Sequence, residues 1–192
     1  MKTLIFGSGS DIAQALIPML DGEVVQITHD DCDVRNGFKM EHLLIQHIPE
    51  VIVNCAGVYR GGSIDFANKQ EIDVNFWGSY NISYCASKYC PAAIIVHIAS
   101  DAGLCGKPDK VVYAASKAAV ISLVRSQAAA GCPVYAVAPT LTNTKMTAKY
   151  IIDPDKVLQP HDVAVEIKNC VDGKYEFGAI VTWGDGNASI IR

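Results

Sequence analysis

The chain has 192 residues, half of them hydrophobic and 19% charged, which suits one domain with a substantial core. A formal net charge of −4 gives no electrostatic footing for nucleic acid or an anionic membrane, and no basic block or acidic tail alters that. Seven cysteines, odd in number and without a Cys-x-x-Cys pair, point to a reduced cytoplasmic protein and away from a zinc or disulfide scaffold; no metal site is expected.

The first six residues begin as a signal peptide does, but Gly7, Ser8 and Asp11 follow before a sufficient apolar region forms, and no stretch reaches the length of a membrane span. Residues 3–6 read as a buried strand and 10–20 as a helix, with Ser10 and Asp11 suited to its N-terminus. Residues 23–28 form a second strand, Asp33 and Val34 a remnant third, and 37–47 a helix. Residues 51–54 are a fourth strand. The segment 71–88 has helical length and carries Val74, Trp77, Tyr80, Asn81, Tyr84 and Cys85 along one side. A fifth strand at 93–98 precedes an alanine-rich helix at 111–130, stopped by Gly131 and Pro133. A sixth strand (134–137), a helix (161–171) and a seventh strand (180–183) complete the pattern, with Pro160, His161 and Asp162 marking that helix start.

Strands alternating with helices predict an α/β domain over 1–192: a doubly wound parallel sheet of about seven strands, order 3-2-1-4-5-6-7, with helices on both faces. Ligands of such folds bind beyond the carboxyl ends of the strands. The most informative residues lie there. Tyr113 and Lys117 are four apart, hence on one helix face, and Ser100 lies thirteen residues upstream at the end of the fifth strand. A phenol, an ammonium and a hydroxyl in one pocket suit proton transfer to or from a carbonyl or alcohol. Alone, a Tyr and a Lys on one helix face are more often a packed aromatic and its snorkelling neighbour.

Further motifs sit at the other strand ends. Gly7-Ser8-Gly9-Ser10-Asp11-Ile12-Ala13 joins the first strand to the first helix, where small residues let the backbone approach a pyrophosphate. Asn54-Cys55-Ala56-Gly57 ends strand four, and Asn75 lies on the next helix. Pro139, Thr142 and Thr144 follow strand six, and Trp183-Gly184-Asp185-Gly186 ends strand seven. In this order the chain resembles the short-chain dehydrogenase/reductase family over nearly its whole length.

The resemblance implies an NAD(P)-dependent oxidoreductase acting on a small carbonyl or alcohol. Tyr113 would be the acid/base, Lys117 would lower its pKa and bind the nicotinamide ribose, Ser100 would polarise the substrate oxygen, and Asn75 would hold a relay water. The cofactor would lie against Gly7, Ser8, Ser10, Asp11, Ile12, Asn54, Ala56, Gly57, Tyr113, Lys117, Pro139, Thr142 and Thr144, with adenine on Asp33 and Val34. At the end of strand two, Thr28 takes the place of an NAD-type acid and His29 that of an NADP-type cation, which favours NADP(H) over NAD(H). A homodimer is implied through the helices at 71–88 and 111–130, or a homotetramer that adds a contact through the last strand.

Departures from the family pattern are Asp11 and Ala13 in place of glycines, Thr140 in place of glycine after Pro139, and a short lid, residues 147–156, over an open or shallow substrate pocket. Asp11 is expected to cap the first helix and point away from the diphosphate. Segments 59–63, 104–107 and 143–149 are expected to line the substrate pocket. Bland roles stand beside the chemical ones: Asn75 satisfying backbone at a helix kink, Ser100 capping a turn, His97 a buried hydrogen-bonded residue. A non-catalytic dinucleotide sensor of the same fold is the alternative; an epimerase or dehydratase would need a longer chain.

Overall fold

Six runs pair in parallel, the central ones because aliphatic and β-branched side chains fill both faces of the strand. They are β1 (Lys2–Phe6), β2 (Glu23–Ile27), β3 (Val51–Asn54), β4 (Ile94–Ile98), β5 (Val134–Ala138) and β6 (Ile180–Gly184). Every residue of β3 and β5 is buried. A seventh strand, β7 (Asn187–Ile191), turns back antiparallel along β6, and the sheet order is β2-β1-β3-β4-β5-β6-β7. The computed structural model describes residues 1–61, 69–151, 153–184 and 186–191.

Helices cover both faces. Leu4, Phe6, Ile52 and Ala136 meet Met40 and Leu44 of α2 (Gly37–His47), Ile82 and Ala86 of α4 (Gly78–Tyr89), and Val120 and Val124 of α5 (Val111–Ala129). Ile5, Val53, Val96 and Tyr135 meet Ala13 and Leu16 of α1 (Asp11–Leu16), and Val163 and Ile167 of α6 (Pro160–Val171). A single helical turn, α3 (Lys69–Glu71), runs through a π-helical segment, Ile72–Trp77, into α4.

The predicted sheet is present with changes at both edges, and two helices also differ from expectation. Asp33 and Val34 form no strand: Asp33 accepts from the backbone N–H and guanidinium of Arg35, which bends the chain, while Val34 is buried beneath α4. The count of seven is reached by β7 instead, at the opposite edge. The first helix stops at Leu16 and continues as a 3-10 turn, Ile17–Met19, because Pro18 has no N–H to donate to the α ladder. The long helix also divides its predicted stripe. Val74 and Cys85 are buried, whereas Trp77, Tyr80 and Tyr84 are exposed, three and four residues apart along one outward ridge.

Parallel register aligns the strand ends. Phe6 pairs with Asn54, Asn54 with His97, and Ile98 with Val137, so the turns at Gly7, Cys55, Ala99 and Pro139 share one edge. The chain turns away in opposite directions on the two sides of β1, where β2 and β3 flank it. That crevice is where an open α/β sheet takes its ligand.

Candidate active site

A cavity of about 290 Å³ lies over these strand ends. Of the predicted site residues, Ser10, Asp11, Ile12, Ala56, Gly57, Ser100, Tyr113, Lys117, Pro139, Thr142 and Thr144 line it. Gly7, Ser8, Asn54 and Asn75 lie behind that lining, and Thr28, His29, Asp33 and Val34 lie outside the cavity.

The wall begins at β4. Ser100 caps a 3-10 turn (Asp101–Gly103), its Oγ accepting from the Ala102 N–H at 3.2 Å and donating to Asp101 at 3.1 Å. Gly103 allows that turn to lie on α5, since a Cβ there would sit 2.6 Å from the Lys117 carbonyl carbon. Ser100 is thereby the cap of that turn, and its hydroxyl stands near enough to the Tyr113 phenol to influence it.

On α5, one turn separates Tyr113 from Lys117, whose Nζ lies 5.7 Å from the Tyr113 ring centroid. Lys117 is buried and donates to the Ile98 carbonyl at 2.7 Å. Burial pulls its ammonium down to about 8, with Cys55 acting the other way. Burial pushes Tyr113 up to about 12; Ser100 opposes this, while Asp101 and Glu71 add to it. Desolvation dominates there and keeps the phenol in its protonated form.

Asn75 sits in the π-helical segment. Its Oδ1 accepts from the Val58 N–H at 2.8 Å, and its Nδ2 donates to the Val58 carbonyl and to Ser116 Oγ, both at 3.0 Å. Both amide hydrogens are thus committed to protein, and the Asn75 carbonyl accepts from Ser79 Oγ at 2.7 Å. The geometry gives Asn75 the backbone-satisfying role: it holds the far side of the turn after β3.

The near side is held from the sheet. Asn54 Oδ1 accepts from the Ala56 N–H, which fixes the amide orientation, and Nδ2 then reaches Ser79 Oγ at 3.0 Å and His97 Nδ1 at 3.3 Å. An amide donor at Nδ1 makes His97 the Nε2–H tautomer, donating to Ser83 Oγ at 2.9 Å. Burial draws His97 down to about 3, so it stays neutral, as a buried hydrogen-bonded residue should.

The glycine turn meets this network directly. Gly7 has φ +69°, and a Cβ there would lie 2.5 Å from the Ala56 nitrogen, so only glycine fits. Ser10, not Asp11, caps α1, accepting from the Ala13 N–H at 3.2 Å. This corrects the expected role of Asp11, whose Oδ2 instead accepts from the Lys145 backbone N–H at 2.7 Å. Thr140 needs no glycine: among the described residues only Ile48 is a non-glycine with positive φ.

Lys110 and Leu141, which sequence reasoning did not single out, complete the lining, together with Tyr150 of the expected lid. Tyr59, in a segment expected to line the substrate pocket, packs edge-on against Tyr113 at 4.9 Å and lies 5.5 Å from Tyr150. The short lid thus brings one ring, that of Tyr150, to the edge of the cleft. Of the expected lining segments, residues 62 and 63 fall outside the described residues, as do Ile152 of the lid and Asp185 of the terminal turn.

The lining fits a dinucleotide. Ser8 Oγ is buried without a partner among the described residues. Gly9 has open space where a side chain would stand, and a Cβ on Gly57 would come within 3.4 Å of Asn75 Oδ1 and 3.6 Å of Lys117 Nζ. A flat ligand can therefore press on the backbone there. The profile of the short chain dehydrogenase family matches residues 3–154.

The chain belongs to the short-chain dehydrogenase family. An uncharacterised short-chain type dehydrogenase/reductase of Sinorhizobium fredii is 38% identical over 110 residues, 52% of this chain and 20% of that protein. A 3-oxoacyl-[acyl-carrier-protein] reductase of Staphylococcus epidermidis is 27% identical over 161 residues, 74% of this chain and 65% of that one. Each match spans less than two thirds of the relative's own length. Among solved structures, levodione reductase superposes with a TM-score of 0.82 at 18% identity, covering 96% of both chains. A small-chain dehydrogenase in complex with NADPH gives 0.82 at 18% identity, covering 97% of both. At such identity the likeness is one of fold, and the fold of this family member is theirs.

Proposed function

We propose that the protein is a nicotinamide-dinucleotide-dependent oxidoreductase acting on a small carbonyl or alcohol. The observation that carries this reading is the convergence of Ser100, Tyr113 and Lys117 on one cavity wall, beside a glycine turn fitted to a dinucleotide. When bound, the nicotinamide supplies hydride transfer, which no side chain can. Ser100 and Tyr113 supply two hydroxyl donors to the substrate oxygen. Because burial keeps Tyr113 protonated, the phenol gives its proton as charge develops on that oxygen, and Ser100 steadies the resulting anion. Lys117, adjacent to Gly57, is placed to meet the ribose hydroxyls and to offset a tyrosinate.

Tyr113→Phe removes the donor and little packing surface. Turnover of a carbonyl panel should fall by about 10²- to 10⁴-fold while dinucleotide affinity stays within about twofold. Undiminished turnover in that variant would end this mechanism. A dinucleotide sensor is the second reading, favoured by one observation, the Asp11 carboxylate within the glycine turn. Binding without turnover of any carbonyl would select it.

Cofactor choice rests on the end of β2. His29 supports NADP(H), the sequence expectation. Against it, Asp31 folds back so that its carboxylate accepts from the Thr28 N–H at 2.9 Å and the Thr28 hydroxyl at 2.6 Å. A carboxylate at that strand end suits a ribose 2′-hydroxyl and repels a 2′-phosphate. Both cofactors are in play, and Asp31→Ala is expected to move the NADPH/NADH affinity ratio upward. All seven cysteines are free thiols, which supports a reducing, cytoplasmic setting. Among the described residues no helix is long and apolar enough to cross a membrane.

A further inference from the structure

The cleft has two long sides, the glycine turn after β1 and the loop after β5, and one charged pair joins them. Asp11 Oδ2 accepts a 2.7 Å hydrogen bond from the Lys145 N–H, and Asp11 Oδ1 lies 3.4 Å from the Lys145 ammonium. Both residues line the cavity. The Asp11 side chain is only 24% exposed, whereas that of Lys145 is 87% exposed. Asp11 is not the cap of the helix it begins, since Ser10 caps α1. What the pair does is hold residues 142–147 against the glycine turn.

Those two donors, a backbone N–H and an ammonium meeting on one anion at a cleft wall, are the donor set a phosphate oxygen requires. The other polar groups of the loop are turned inward. Thr142 Oγ1 donates to the Thr140 carbonyl, and the Thr144 and Thr147 hydroxyls bond each other at 2.8 Å. Lys145 is thus the group of this loop that offers charge-assisted donors across the cleft, and Asp11 takes them.

We propose that Asp11 is an internal counter-ion standing where the cofactor's diphosphate acts, so that dinucleotide binding exchanges carboxylate for phosphate at Lys145. This rests on the dinucleotide reading above. Asp11 then sets cofactor affinity, and the exchange releases the 142–147 loop from the glycine turn as the dinucleotide arrives. The chain holds its dinucleotide more loosely than it would with a neutral residue at position 11, which favours rapid exchange of the spent cofactor.

The test is a fluorescence titration of wild type, Asp11→Asn and Lys145→Ala with NADH and NADPH, with adenosine measured by ligand-observed NMR as a probe that carries no phosphate. Asp11→Asn is expected to tighten both dinucleotides by about five- to tenfold, the scale of one partly screened charge contact, and to leave adenosine unchanged. Lys145→Ala is expected to weaken both severalfold. Equal or weaker dinucleotide binding by Asp11→Asn overturns the proposal, as does a matching gain for adenosine, which would mark a general effect. Hydrogen exchange on nucleotide-free protein separates this failure from failure of the function. Asp11→Ala should speed exchange of the Lys145 amide; unchanged exchange overturns the strap itself. No binding of either dinucleotide by any variant, with exchange accelerated, would overturn the dinucleotide reading and the exchange together while leaving the strap.

Discussion

At the scale of single residues, Lys117 carries a cost that the mechanism explains. Its ammonium sits in a buried pocket whose fixed partner is one carbonyl, Ile98, and burial lowers its pKa from 10.5 to about 8. The unfolded chain binds that proton more tightly than the folded one, so this group's contribution to stability rises as pH climbs from about 8 towards 10.5. Lys117→Met should therefore be more stable than wild type at pH 7, with the difference shrinking by pH 9.5; chemical denaturation at the two values measures it. A constant difference would show that Lys117 pays no desolvation in the fold. Tyr113 and Lys117 were readable as a pair because the helical period alone puts them on one face. Asp11 and Lys145 were not, because 134 residues separate them and only the closed sheet brings them together. Asp31 likewise returns to Thr28 through a local turn that no periodicity announces.

At the scale of elements, the π-helical segment and the lid shape the pocket. The segment Ile72–Trp77 carries Asn75 to Val58, locking the turn from which Tyr59 projects onto Tyr113. π-helical insertions of this kind cluster at functional sites. From the other side, the lid brings Tyr150 to Tyr59, and a Cβ on Gly61 would lie 3.0 Å from the Tyr59 hydroxyl and 3.4 Å from that of Tyr150. Lys110 covers the Tyr59 ring at 5.4 Å. The space above the Ser100 and Tyr113 hydroxyls is therefore narrowed by two aromatic rings from opposite walls. Tyr150→Ala should raise kcat/KM for bulky ketones by about tenfold relative to acetone-sized ones, the scale of a few buried carbons. A ratio unchanged across a size series would show that the lid does not gauge the substrate. The lid's brevity was legible in the sequence, but the approach of Tyr150 to Tyr59 was not, since chain length alone does not place a ring.

At the scale of the whole molecule, the alternation of apolar runs and helical segments sufficed for the class of fold and for the strand order across the centre of the sheet. It failed at the edges, where burial no longer imposes a pattern. Asp33 and Val34 are too few to pair, and every residue of β7 is exposed, so its run of Asn187 to Ile191 shows no half-buried alternation. The same logic of exposure makes assembly the remaining property to test. Trp77, Tyr80 and Tyr84 are 49%, 40% and 54% exposed and line one ridge that runs from the end of the π-helical segment along α4, with neighbouring ring centroids 5.6 and 6.2 Å apart. Phe38 of α2, 82% exposed, adds to the apolar surface of the same layer. Contiguous aromatic surface of this extent is costly in water and is a mark of an interface. We expect a homodimer in which this ridge packs on its two-fold mate, since a self-complementary patch closes most simply that way. Trp77→Glu with Tyr84→Glu places two carboxylates in that contact and alters no buried residue. Light scattering at micromolar protein should then report a dimer for wild type and a monomer for the double variant, with far-UV circular dichroism unchanged. A monomeric wild type would leave the ridge without its partner copy and refute the assembly.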